Sequence, residues 1–259
     1  MLNAQSNTPL NIMPLPAKVE RGESSLKIDA NFRAAFAGYR EPRLERAGIR
    51  LERQMQRQTG LVILPAGKSA GPATLEVTTD HESKAVQELG EDESYTLDVT
   101  PTGAKLHAPN PLGTLRGLQT FLQLIAITPD GFSVPAVHIE DRPRFPWRGL
   151  MIDSGRHFIP LDVIKRNLDG MEAVKMNVFH WHLSENQGFR AESRKFPKLH
   201  EQGSDGLFYS QEEIHEIVEY ARDRGIRVVR RLPGTCERQW PVRGRASVGH
   251  LRSGDGSGR

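Results

Sequence analysis

The stretch "NVFHWHLSENQGFR", residues 177–190, sets a short apolar run directly before a polar cluster. His180 and His182 stand two apart in that run, so on a β-strand their side chains share one face. Ser184, Glu185, Asn186 and Gln187 follow at once. A nearly continuous apolar run of this length, closed by turn-forming residues, reads as a buried strand of a parallel sheet. Three roles are open for it: a metal strand, a sugar-binding strand, or a packed strand with a polar turn behind it.

Its neighbours repeat the pattern. "GLMIDSG" (149–155) is an apolar strand ending in Asp153. "PLDVIKRNLDGMEAVK" (160–175) enters a helix through Pro160 and turns Leu161, Ile164, Leu168 and Met171 inward. "SQEEIHEIVEYARDRG" (210–225) carries a capping box of Ser210 and Glu213, a stripe of Ile214, Ile217, Val218 and Ala221, and a stop at Gly225. "IRVV" (226–229) is a third strand. Strand, helix, strand, helix, strand predicts a parallel α/β layout. Its connections fit the opening of a (β/α)₈ barrel or a doubly wound sheet.

The first ~140 residues differ. "EPRLERAGIRLERQMQRQTG" (41–60) predicts a helix with Leu44, Gly48, Leu51 and Met55 near one face, entered at Pro42 and left at Gly60. "ATLEVTT" (73–79) alternates as a half-buried strand, and residues 94–108 read as a hairpin around "PTG". "PLGTLRGLQTFLQLIAI" (111–127) has Leu115, Leu118, Leu122 and Ile125 at helical spacing. This is an α+β unit without a catalytic constellation, and His107 reads as structural. Prolines at 135, 143 and 146 break elements, so the domain boundary is expected there. The expected division is 1–140, 141–229 and 230–259.

Bulk properties exclude several classes. The longest apolar runs fall far short of the roughly 20 residues a membrane helix needs. No basic n-region or apolar h-region opens the chain, so no signal peptide is read. The lone Cys236 excludes an internal disulfide and a cysteine-built zinc site. The net charge is +3, but residues 230–259 hold seven arginines against Glu237 and Asp255, which leaves the rest slightly acidic. Nucleic-acid and membrane partners are therefore not expected.

In both parallel layouts ligands bind beyond the carboxyl ends of the strands. That selects Asp153, Arg156 and His157 after the first strand and Glu185, Asn186 and Gln187 after the second. Past the third it finds Arg230 and Arg231. A zinc site on His180 and His182 would need another ligand, and none arrives at the third strand's end. Trp147 and Trp181 could underlie a sugar ring or could be core. Arg148 could donate to a hydroxyl pair or could form an interdomain salt bridge.

The order W-R-G at 147–149, D-x-x-R-H-F at 153–158, H-W-H-L at 180–183 and Q-G-F-R at 187–190 is long and specific. It resembles glycoside hydrolase family 20, the β-N-acetylhexosaminidases, over roughly residues 8–229. The resemblance implies an α+β N-terminal domain followed by the first strands and helices of an incomplete (β/α)₈ TIM barrel. It implies that Arg148 grips hydroxyls of the terminal sugar, with Asp153, His157, His182, Glu185 and Asn186 supporting the pocket. Glu185 and Asn186 match a pair that is often Asp-Asp, so only Glu185 keeps a charge there. The implied chemistry is substrate-assisted retaining hydrolysis, in which the substrate's own acetamido oxygen attacks the anomeric carbon. A glutamic acid protonates the leaving oxygen, and its aspartate neighbour orients the acetamido group. The implied partners are N-acetylhexosamine-containing glycans. No metal or organic cofactor is implied. Many members of the family are exported, but this chain shows no export signal.

The family's H-x-G-G-D-E motif, which carries that Asp-Glu pair, does not occur in the chain, and its third strand continues as "VVRRLPGTCERQWP" (228–241). From Arg230 on, periodicity gives way to Arg, Gly and Ser, which reads as a shifted reading frame. Beyond Arg148 the chain holds less than half of the ~250 residues of a full barrel. An inactive, poorly stable and aggregation-prone product is expected. Two alternatives stand beside it: a non-catalytic carbohydrate-binding or interaction module, and a metal-dependent hydrolase using His180 and His182.

Overall fold

The computed structural model describes residues 10–63, 71–84 and 86–231. The first unit runs β1 (Lys18–Ile28), β2 (Ala34–Gly38), α1 (Pro42–Thr59), β3 (Leu75–Thr79), β4 (Tyr95–Thr100), β5 (Gly103–Ala108), α2 (Pro111–Leu124), β6 (Ala126–Thr128) and β7 (Gly131–Asp141). Its mixed sheet has the order β1-β7-β4-β5-β3-β2, with β6 paired to β7. Alternation decides the buried face: Tyr95, Leu97 and Val99 of β4 and Ala104, Leu106 and Ala108 of β5 turn inward. Ala47, Leu51 and Met55 of α1 pack on them in one core. α2 is buried on nearly all sides, lying between this sheet and the second unit. Gly113 and Gly117 permit its close approach. A Cβ on either would lie 2.1 Å from the Ser94 carbonyl oxygen or 2.2 Å from Leu106 Cδ1.

Two expectations fail here. Pro135 does not break an element; it sits within β7, opposite Ser25 of β1. The register shifts beside it, so that Gly22–Ser24 face Ala136 alone, and a bulge is where a strand tolerates a residue without an N–H. The helix at 111–127 ends at Leu124. Ile125 is extended, and Ala126–Thr128 pair with β7 as a short hairpin.

The second unit runs β8 (Gly149–Asp153), α3 (Leu161–Ala173), β9 (Val178–His182), β10 (Ser184–Glu185), β11 (Gly188–Phe189), α4 (Lys198–Gly203), α5 (Gln211–Arg222) and β12 (Arg227–Arg231). Three parallel strands stand in the order β12-β9-β8. Phe179 and Trp181, with Leu150, Ile152 and Val228, pack under both α3 and α5 in a single core. Met151, on the other face, is 54% exposed. Helices on one face over sequentially adjacent strands match the start of a (β/α) barrel; a doubly wound sheet is covered on both. α5 starts as expected: the Glu213 backbone N–H donates to Ser210 Oγ (3.1 Å), and the Ser210 N–H to Glu213 Oε2 (2.8 Å). The third strand continues past Val229 through Arg231, because a backbone ladder to β9 forms whatever the side chain. The rest of the expected aberrant tail lies outside the described residues. No helix among the described residues is long and apolar enough to cross a membrane.

The seam between the units is built from charge. Glu93 Oε2 accepts from Arg116 Nε and from Arg148 Nη2, both at 2.6 Å, and Oε1 accepts from Asn177 Nδ2 at 3.0 Å. Burial alone would raise this carboxyl, but Arg116 and Arg148 hold it below its ordinary value. Glu172 lies between Arg50 (3.1 Å) and Arg224 (3.4 Å), and there burial wins and pushes the carboxyl up. Lys175 Nζ reaches Tyr95 Oη (2.8 Å) and Asp141 Oδ2 (3.1 Å), with its pKa lowered by burial. Arg46 grips Asp223 through two bonds of 2.6 Å.

Candidate functional site

The carboxyl ends of β8 and β9 bring four charged or titratable side chains together. Asp153 and His182 are register partners at the strand ends. The N–H groups of Ser154 and Gly155 donate to the His182 carbonyl at 2.9 and 3.1 Å, which folds the loop after β8 over the end of β9. Gly155 lies so close to β10 that a Cβ would sit 2.9 Å from the Glu185 nitrogen. Arg156 is thereby aimed back: its Nη1 is 3.1 Å from Asp153 Oδ2 and its Nη2 is 3.8 Å from Glu185 Oε1. His182 Nε2 is 2.8 Å from that same Glu185 oxygen. The His182 side chain is 12% exposed, Glu185 31% and Arg156 62%, so the cluster grades from a fixed base to an open rim.

A buried chain of hydroxyls holds this loop from beneath. Trp181 Nε1 donates to Ser154 Oγ (3.0 Å), the Ser154 and Tyr209 hydroxyls are 2.9 Å apart, and Tyr209 donates to the Ile159 carbonyl (2.6 Å). Trp181 and Tyr209 are fully buried, so Trp181 is core and offers no sugar platform. Burial raises the Tyr209 hydroxyl, keeping it a donor.

The other expected residues are placed differently. Asn186 is exposed at the tip of the β10–β11 hairpin and His157 is exposed on the loop. The His180 and His182 rings meet edge-on at 6.2 Å. Among the described residues no group of three His, Cys, Asp or Glu stands where it could hold a metal ion. Trp147, half-exposed, covers Gly149 at the amino end of β8, the wrong end for the rim.

Arg148, expected at the sugar, stands at the other end of the strand. It precedes β8, and every nitrogen of its fork is engaged: Nε with the Lys175 carbonyl (2.9 Å), Nη1 with the Phe145 carbonyl (2.8 Å) and Nη2 with Glu93. Its position is the seam. The arginine at the carboxyl end is Arg156, which the strand-end rule had already selected.

A mixed sheet docked under the amino ends of parallel βα units, with a charged rim at the opposite ends, defines a barrel protein carried on an α+β domain. Comparison with known proteins narrows that class. The model of glycosyl hydrolase family 20, domain 2 matches residues 9–142, and that of the family's catalytic domain matches residues 145–240. The chain belongs to glycosyl hydrolase family 20. It is 35% identical over 229 residues to β-hexosaminidase subunit A1 of Dictyostelium discoideum, covering 85% of this chain and 41% of that protein. It is 42% identical over 156 residues to human β-hexosaminidase subunit beta, covering 59% and 28%. The chitobiase structure from Flavobacterium johnsoniae superposes with a TM-score of 0.80 at 43% identity, over 85% of this chain and 34% of that one. The Vibrio harveyi exo-β-N-acetylglucosaminidase structure, in complex with N-acetylglucosamine, superposes at 0.71 and 26% identity, over 85% and 36%. The chain spans less than half the length of these relatives.

Proposed function

We propose that this chain carries the sugar-holding rim of a β-N-acetylhexosaminidase, one that removes terminal N-acetylhexosamine residues by substrate-assisted retaining hydrolysis. The observation that carries the reading is the convergence of Asp153, Arg156, His182 and Glu185 at the carboxyl ends of β8 and β9. A guanidinium flanked by two carboxylates can donate to paired ring hydroxyls while the carboxylates accept from them. In this reading Arg156, and not Arg148, grips the hydroxyls, and His182 orients Glu185. Asn186 and His157 border the sugar from the hairpin tip and the loop.

The H-x-G-G-D-E motif that would supply the general acid is absent from the chain, so it binds the sugar without turning it over. The test is saturation-transfer NMR of N-acetylglucosamine with the full chain, run beside hydrolysis of a chromogenic N-acetylglucosaminide. Saturation transfer that is lost in Arg156→Ala, with no hydrolysis, is expected. Transfer that survives Arg156→Ala overturns the assignment. Hydrolysis abolished by a chelator would favour a metal-dependent reading on His180 and His182.

A further inference from the structure

A cavity of about 10 Å³ lies in the seam, bounded by Gln87, Leu89, Glu93, Leu112, Arg116 and Asn177 among others. Gln87 is only 7% exposed. Both its amide oxygen and its amide nitrogen are buried and find no hydrogen-bond partner among the described residues. A primary amide offers two donors and an acceptor. Buried groups of this kind are almost always matched, by protein or by an ordered water. Glu93 offers a counterpart: both arginines bind its Oε2, whereas among the described residues Oε1 accepts from Asn177 alone and keeps acceptor capacity.

Size and charge together select the occupant. About 10 Å³ is close to what one water needs. The wall sets Glu88 and Glu93 against Arg116 and Arg227, so it carries no excess charge of either sign to select an ion. We infer that this cavity is a binding site for a single ordered water, which joins the Gln87 amide to the Glu93 carboxylate. The water ties Gln87 to the Glu93 that the same loop already contributes to the seam.

A high-resolution crystal structure of the full chain tests this directly. One water peak hydrogen-bonded to both Gln87 and Glu93 is expected. An empty cavity with the Gln87 amide turned onto a protein group overturns the inference, and so does an ion in its place. The thermal midpoint of Gln87→Met gives an independent sign. If the water is bound, the variant strips it of an anchor and the midpoint falls. If it is not, the variant relieves an unmatched buried amide, and the midpoint holds or rises.

Discussion

Arg148 and Arg156 belong to one motif and serve opposite ends of β8. The first is buried against Glu93 and two carbonyls, the second is mostly exposed beside Asp153 and Glu185. Arg148→Ala leaves Glu93 with one buried cation fewer, and removing one partner of a buried pair costs about 3 kcal/mol. Urea unfolding should show that loss, while Arg156→Ala should unfold like the parent chain. Glu93 also sets an acid limit. Its folded pKa lies below the ordinary 4.5, so its contribution is complete above that value and is lost as pH falls through the folded pKa. The stability of the parent chain should fall more steeply below pH 4.5 than that of Glu93→Gln, measured by unfolding across that window. The sequence held two arguments about these arginines, and they disagreed. Motif position favoured Arg148, whereas strand-end geometry favoured Arg156. The bonds of Arg148 to Glu93 and the Lys175 carbonyl could not be read from its own stretch of sequence.

Elements were legible where local chemistry and burial agreed. The capping box and apolar stripe of α5 and the apolar runs of β8 and β9 could be read directly. β1 could not: only Leu26 and Ile28 of its 11 residues are fully buried, so "KVERGESSLKI" shows no alternation. It is a strand because β7 offers it a ladder. β6 likewise hides in a helical spacing and is decided by its pairing with β7. Where local chemistry does set the element, it can be removed locally. Ser210→Ala deletes the acceptor for the Glu213 N–H and should cost about 1 kcal/mol, read as a shift in urea midpoint without a change in slope.

The whole molecule has two cores and a seam of buried charge between them. Buried ion pairs add little net stability, but they punish separation, because parting the units would take Arg148 from Glu93 and Arg50 from Glu172. The two units should therefore open together. Native-state hydrogen exchange at Leu97 in β4 and Phe179 in β9 should report the same opening free energy. Distinct values would show independent units. β8 and β12 each flank the parallel sheet with one unpaired side among the described residues. Such edges template further strands. Sedimentation should show concentration-dependent association of the chain, reduced by Met151→Lys on the exposed face. The parallel α/β run was readable because it rests on periodicity, whereas its reading as a barrel start rested on the resemblance. The seam was not, since its pairs join residues as distant as Arg46 and Asp223.

The hydrogen bonds described between the units all fall at the amino ends of the parallel strands, leaving the carboxyl-end rim free of the first unit. Inherited or engineered substitutions should therefore sort into two phenotypes. Changes at Arg50, Glu93, Arg148 or Glu172 lower the amount of protein that survives cellular quality control, while what survives keeps a normal rim. Changes at Asp153, Arg156 or Glu185 leave abundance intact and alter only what the rim can hold. A comparison of expression yield with sugar affinity would assign an unclassified variant to one group or the other.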